Sequence, residues 1–321
     1  MTKRKQISIL GWALIIAINF VLISGLAEII LRIIPPDPQS LTNIVTQTDD
    51  FRPFVLKPNS QSAFHGFSDP LSDPILWQIN EDGIRSDQPI KNKSNRFRIL
   101  TYGDSETFGW SVNLENTWQR HMEKIDENIE VINLGIPGYN VKNVADHMKH
   151  TAPDLKPDLI IYLFHKNDFY ESFSITPVLS KSELYIHLRM AFYVLNSKKR
   201  HAWRKSSEGQ KFVSSNIKRM LSIAEELDVP IIFAFRHWKY HDFINNKYWD
   251  MNELEKARAL PRSLNFSAEV VNIEPVVDNF PRRDAHLTEP AQIALANYLC
   301  EYLSGNDSNG CTWSGANTIK P

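Results

Sequence analysis

Ser105 stands in the stretch RILTYGDSETFGW, residues 98–110. Ile99 and Leu100, followed by Thr101 and Tyr102, predict a buried strand, and Gly103 permits the sharp turn that ends it. A serine on such a strand-to-helix corner is either a helix N-cap or an exposed nucleophile, and this stretch taken alone favours the cap. Three further blocks bear on the choice. NLGIPGYN (133–140) contributes Gly135 and Gly138, which let a backbone approach a ligand closely and offer N–H donors. LFHKNDF (163–169) sets Asn167 and Asp168 after another apolar run, and RRDAHLTEPAQ (282–292) sets Asp284 and His286 just before a last helix. Acyl transfer needs these parts: a serine oxygen to attack, a histidine to take its proton, a carboxylate to orient the imidazole, and donors to hold the oxyanion. Each block alone has a plainer reading: an Asx turn for Asn167 and Asp168, a tight turn for Gly135, a structural histidine for His286. Their order along the chain is what carries the joint reading.

All of these blocks fall at the ends of predicted strands. Strands are expected at 97–102, 129–134, 158–164, 229–235 and 268–273, alternating with amphipathic helices. The clearest helix is KFVSSNIKRMLSIAEELD, with Val213, Ile217, Met220, Leu221 and Ala224 on one face, and a final helix is expected over 289–303. This alternation predicts a parallel sheet covered on both faces, whose ligands bind beyond the carboxyl ends of the strands. Residues 169–209 interrupt the pattern with unperiodic aromatics; a lid or, preferably, a helical insertion packed on the core accounts for them. Upstream, residues 35–96 read as a linker followed by a small β extension, in which ILWQINEDGIRSD (75–87) suggests a hairpin or edge strand around its EDG turn.

The 321 residues are 42% hydrophobic and 23% charged, with a net charge of −1, so there is a core to bury and no global basic field for nucleic acid. The run KKRHAWRK (198–205) reads as a solvated face in preference to a polyanion site. At the N-terminus, Lys3, Arg4 and Lys5 precede an apolar stretch at 7–27 that is long enough to span a bilayer. The charge bias places the N-terminus in the cytoplasm and the rest of the chain in the periplasm or outside the cell, with an uncleaved anchor preferred over a signal peptide cut after Ala27. Cys300 and Cys311 flank a turn-rich loop; pairing across it and two unrelated thiols are equal readings. Neither has the spacing of a metal site.

The blocks together resemble the SGNH (GDSL-type) hydrolases, most closely the membrane-anchored bacterial kind. GDSETFG fits the family's serine block, and INEDGIRSD is similar to the lead-in of the anchored members. The resemblance covers residues 97–303. It implies an α/β fold, a three-layer α/β/α sandwich on a parallel, flavodoxin-like five-stranded sheet. It implies Ser105 as nucleophile, the Ser105 and Gly135 N–H groups with Asn167 as oxyanion-hole donors, His286 as base and Asp284 as its partner, with Asp168 as the fallback. No cofactor or metal is implied. Two departures stand out: His165 occupies the glycine position of the family's GxND block, and DAH replaces DxxH. The expected organisation is an anchor (1–34), a linker and β extension (35–96), the hydrolase-like domain (97–303, with the insertion at 169–209) and a tail (304–321). Three functions compete: an extracytoplasmic esterase acting on an acylated glycan or small molecule, an O-acyltransferase delivering the acyl group to a polysaccharide hydroxyl, and a glycan-binding or assembly module without turnover.

Overall fold

A computed structural model describes residues 8–33, 41–46, 48, 52–65, 73–90, 92–93, 95–165, 168, 182–195, 206–236, 268–280, 282–283 and 286–304. Asn167, Asp284, Cys311 and the basic run 198–205 lie outside them. The chain divides into two compact units, Met1–Asp37 with Phe173–Lys198, and Pro38–Ser172 with Lys199–Pro321.

In chain order, α1 (Ile9–Ile33) is followed by four short strands, β1 (Val45–Thr46), β2 (Val55–Leu56), β3 (Ser60–Phe64) and β4 (Ile75–Ile79). The βα alternation then runs through β5 (Phe97–Gly103), α2 (Ser105–Phe108), α3 (Trp118–Ile125), β6 (Ile129–Gly135), α4 (Val141–Leu155) and β7 (Leu159–Phe164). Next come α5 (Glu183–Leu195), α6 (Ser207–Glu226), β8 (Ile231–Phe235), β9 (Ala268–Asn272) and α7 (Glu274–Val277). A two-residue pair, β10 (Arg282–Arg283) and β11 (His286–Leu287), leads into α8 (Glu289–Ser304).

The larger unit is built on the sheet β6-β5-β7-β8-β9, every pair parallel. Side chains alternate across each strand, and the sequence supplies apolar ones to both faces. Leu100, Tyr102, Ile132, Ile160, Tyr162 and Phe233 face one way, into a core shared with α4 and α6. Ile99, Val131, Ile161 and Ile232 face the other, against α3 and α8. The five expected strands are present within two residues of their expected bounds, and the face of α6 that carries Val213, Ile217, Met220, Leu221 and Ala224 is buried as the periodicity requires. Cys300, buried on α8, is disulfide-bonded; the only other cysteine of the chain is Cys311.

Two expectations change in detail. The β extension shares a core with the sheet: Ile44, Leu56, Phe64, Trp77, Ile79 and Ile84 pack with Tyr102 and Phe108 in one cluster. Within it, β4 pairs antiparallel with β3, upstream, instead of folding back across the EDG turn. Asn80 closes that turn by accepting the Asp82 and Ile84 N–H groups on its Oδ1, and the residue that follows, Arg85, is drawn inward.

The smaller unit pairs α1 with α5. Within the insertion, α5 is helical and packs on α1, where packing on the core was expected. The 25 residues of α1 are apolar enough to cross a membrane and none is buried. Within its apolar stretch, Asn19 donates its amide to the Ile15 carbonyl of the same helix at 2.8 Å.

Candidate active site

β5 delivers the chain to Gly103, and α2 begins two residues later. Asp104, the residue between, is the N-cap: its Oδ1 accepts the Glu106 N–H at 2.9 Å. The cap expected of Ser105 is thus supplied by its neighbour, and Ser105 becomes the first helical residue with its hydroxyl unspent on the backbone. Ser105 Oγ lies 2.8 Å from His286 Nε2, across 181 residues of sequence. The serine is 9% exposed, so the contact is sheltered yet reachable.

Several groups fix His286 in turn. Its strand, β11, is anchored by Glu106, whose Oε2 accepts the Leu287 N–H at 3.1 Å. The indole of Trp110 stacks on the imidazole, centroids 5.5 Å apart and planes 26° from parallel. Behind Trp110 stands Trp77 of β4, with centroids 4.2 Å apart and its Nε1 donating to the Trp110 carbonyl at 3.1 Å. Phe64 of β3 stacks on Trp77, centroids 4.9 Å apart, and meets Trp110 edge-on at 5.1 Å. Three aromatic rings from the extension and the serine turn therefore back the histidine.

The C-terminal end of α2 is held as firmly. The Ser105 carbonyl accepts the Gly109 and Trp110 N–H groups, and the carbonyls at the helix end need donors from elsewhere. Arg85, fully buried, donates to the Phe108 and Gly109 carbonyls and, through Nη2, to Val112 at 2.6 Å. Its guanidinium lies 4.6 Å over the Phe108 ring. Burial lowers its pKa to about 9, opposed by the charge of Glu115. Gln119 reaches the Thr107 carbonyl at 2.8 Å, and Asn133 the Phe108 carbonyl at 3.3 Å.

A buried cluster of ionisable groups lies around the serine turn. Glu106 pairs with Arg236, at the carboxyl end of β8, and Arg236 Nε also binds Asp278 at 3.0 Å. His165, where the family pattern has glycine, sits between the carboxylates on either side of Ser105. Its Nδ1 is 3.3 Å from Asp104 Oδ2 and its Nε2 3.8 Å from Glu106 Oε1. Asp168 is wholly buried; its oxygens accept the Tyr162 hydroxyl and, at 2.6 Å, the His165 N–H. Burial first, and then the charge of Asp104, hold its carboxyl well above the usual range, against the pull of those two donors. The Tyr162 hydroxyl is raised by burial and by Asp168.

The structure thus brings together Ser105 and His286 and gives Asp168 a different task from orienting histidine: it pins the loop after β7. Gly135 also departs from the expected donor role. Its N–H is donated to Asn133 Oδ1 at 3.0 Å, and a Cβ there would stand 2.4 Å from the Phe108 nitrogen. The glycine allows the serine turn to lie directly on β6. Gly138, three residues on, has φ 83° and open space around it, with Phe54 Cζ nearest at 3.9 Å. Asn167 and Asp284 are outside the described residues. Sequence reasoning missed Glu106, Trp110, Arg85 and Arg236. Glu106 and Trp110 lie inside the quoted serine stretch, where only the serine drew notice, and Arg85 lies inside the quoted lead-in.

No protein-family profile and no curated protein sequence matches the chain. Solved structures do. A GDSL-like lipase from Bacteroides thetaiotaomicron aligns at 13% identity over 65% of this chain and 88% of its own, with a TM-score of 0.40. TesA aligns at 15% over 65% and 99%, TM-score 0.44, and a carbohydrate acetylesterase family member from Sinorhizobium meliloti at 16% over 65% and 98%, TM-score 0.39. In its GDSET block, its parallel sheet and the meeting of a serine at the end of β5 with a histidine before the last helix, this chain resembles the SGNH (GDSL-type) hydrolases.

Proposed function

We propose that the chain is a serine esterase that removes acyl groups through an acyl-serine intermediate, held at a membrane by α1. The observation that supports it is the Ser105 Oγ to His286 Nε2 hydrogen bond of 2.8 Å at the carboxyl rim of the sheet. In this reading, Nε2 takes the serine proton as Oγ forms its bond to the ester carbonyl carbon. Asp284 holds Nδ1 and stabilises the imidazolium. The oxyanion is met by the Ser105 N–H and the Asn167 amide, the Gly135 N–H being donated to Asn133. His286 then returns its proton to the departing alcohol. Water, deprotonated by the same imidazole, releases the acid and restores the serine.

The anchor reading puts the N-terminus in the cytoplasm and this site outside it, and the substrate class that suits a tethered extracytoplasmic esterase is an acylated glycan. A fluorophosphonate probe tests the activation of the serine. The full-length chain in detergent is labelled and digested, and mass spectrometry finds the adduct on Ser105. An unlabelled Ser105 in folded protein would return the site to the binding module. If labelling succeeds, release of free acetate from an O-acetylated polysaccharide distinguishes hydrolysis from transfer to a second hydroxyl.

A further inference from the structure

The insertion helix α5 has an apolar stripe that nothing in the esterase reading uses. Leu188, Phe192 and Leu195 are 54%, 62% and 79% exposed, at the i, i+4, i+7 spacing of one helical face. Leu184, Tyr185 and Arg189 are half-buried, and His187 is exposed on another face. The helix packs on α1, where the half-buried positions Ser24, Ala27, Glu28 and Leu31 form the matching stripe. These positions lie in the last third of the span, next to fully lipid-like side chains such as Val21, Ile23 and Ile30 that remain exposed.

One carboxylate fixes the level at which the two helices meet. Glu28 pairs with Arg32 through Oε1 at 2.7 Å. Its Oε2 accepts the Ser182 hydroxyl and the Leu184 N–H, both at 2.9 Å, at the N-terminus of α5. Ser182 caps the helix itself by accepting the Tyr185 N–H at 3.1 Å. The beginning of α5 is therefore tied to the point on α1 where charged residues first follow the apolar stretch, which is where a spanning helix leaves the hydrocarbon. The sequence shortly after α5, residues 198–205, then supplies five Lys or Arg residues and Trp203.

We infer that α5 is a second membrane-contacting element, lying in the non-cytoplasmic interface of the bilayer with Leu188, Phe192 and Leu195 among the acyl chains. An apolar helical stripe beside cationic sequence is the composition that binds such an interface. The inference rests on the anchor reading of α1. It gives the insertion a purpose that neither a lid nor a core-packed subdomain would: it ties the chain to the membrane a second time, at a point inside the βα alternation.

Depth measurements on the full-length chain test it. Single cysteines are introduced by Val21→Cys, Phe192→Cys, Leu195→Cys and Ser222→Cys, nitroxide-labelled with the native disulfide left oxidised, and reconstituted into vesicles of phosphatidylcholine with phosphatidylglycerol. Labels at positions 192 and 195 should resemble the one at 21, relaxed more by oxygen than by a water-soluble nickel chelate, with the one at 222, exposed on α6, showing the reverse. Aqueous behaviour at both 192 and 195 beside a lipid signal at 21 would overturn the inference and leave the anchor standing. Shielding from both reagents at 192 and 195 would assign the stripe to protein and overturn it equally. An aqueous signal at 21 would remove the anchor reading and α5's role with it.

Discussion

The turn that carries Ser105 and the strand that carries His286 meet at 2.8 Å, but they are built differently. The serine turn grows out of β5, an inner strand of the sheet, is capped by Asp104, and has its carbonyls gathered by Arg85, Gln119 and Asn133. Local sequence and the sheet together leave it little freedom. The histidine stands on a two-residue strand paired with another of the same length. A pair so short has little stability of its own, so its position depends on side chains that reach it from elsewhere: Glu106 on the Leu287 N–H and Trp110 on the ring. The position of the serine is thus a property of the fold, and that of the histidine a property of a few contacts.

The most damaging tests remove the partners themselves. Ser105→Ala and His286→Ala should each lower kcat/KM for a short acyl ester by about four orders of magnitude or more with thermal melts unchanged, since members of such a unit fail together. Asp284→Asn should approach the same loss, up to about ten-thousandfold, if it presents the wrong tautomer of His286; steady-state kinetics on purified variants decide it. Asn167→Ala should lower kcat by about two to three orders of magnitude at nearly constant KM, because an oxyanion donor acts in the transition state.

Glu106→Gln sharpens the contrast more than any of these. It leaves the serine and the cap in place but weakens the acceptor for Leu287 and takes one carboxylate from Arg236. A charge-assisted hydrogen bond of this kind is worth about 1.5–3 kcal/mol. The expected result is a lower melting temperature and a kcat about tenfold lower with KM held. An unchanged kcat would show that β11 needs no such support.

The smallest effect is on pH dependence. The carboxyl of Asp168 is raised in the folded chain above its unfolded value near 3.9. Folding therefore binds a proton here, and the stability from this group is full below pH ~4 and falls as pH rises toward the folded pKa, by at most about 1.4 kcal/mol per pH unit. Asp168→Asn should remove that slope in denaturant titrations taken at several pH values, while activity changes far less than in Asp284→Asn. A slope that persists in the variant would assign it to another group.

The strand order and the two faces of the sheet were legible because they rest on repeats: apolar runs such as LIIYLF, set between helices with one buried face, allow few other arrangements. The serine turn was legible because its block has several residues of fixed type in a fixed place. Glu106 and Arg85 were not. Their work depends on partners 181 and 23 residues away, and nothing in a charged side chain's neighbours along the chain says that it will be buried against a distant carbonyl or N–H. Gly135 shows the same limit from the other side. A glycine after a strand announces close approach, and only the fold says whether a ligand or, as here, the Thr107–Phe108 backbone does the approaching.

The ring cluster of Phe64, Trp77 and Trp110 behind His286 bears on how this protein can be dissected. A fragment started at residue 97, where the βα alternation begins, would contain every residue of the proposed chemistry and the whole central sheet. It would also lack Phe64, Trp77 and Arg85, leaving Trp110 unsupported against His286 and the Phe108, Gly109 and Val112 carbonyls without the guanidinium. The smallest fragment that can be expected to work therefore begins before β1, near residue 41, even though that adds more than fifty residues of irregular chain. For this molecule, the boundary that recurring secondary structure suggests and the boundary that a working site requires are two different places.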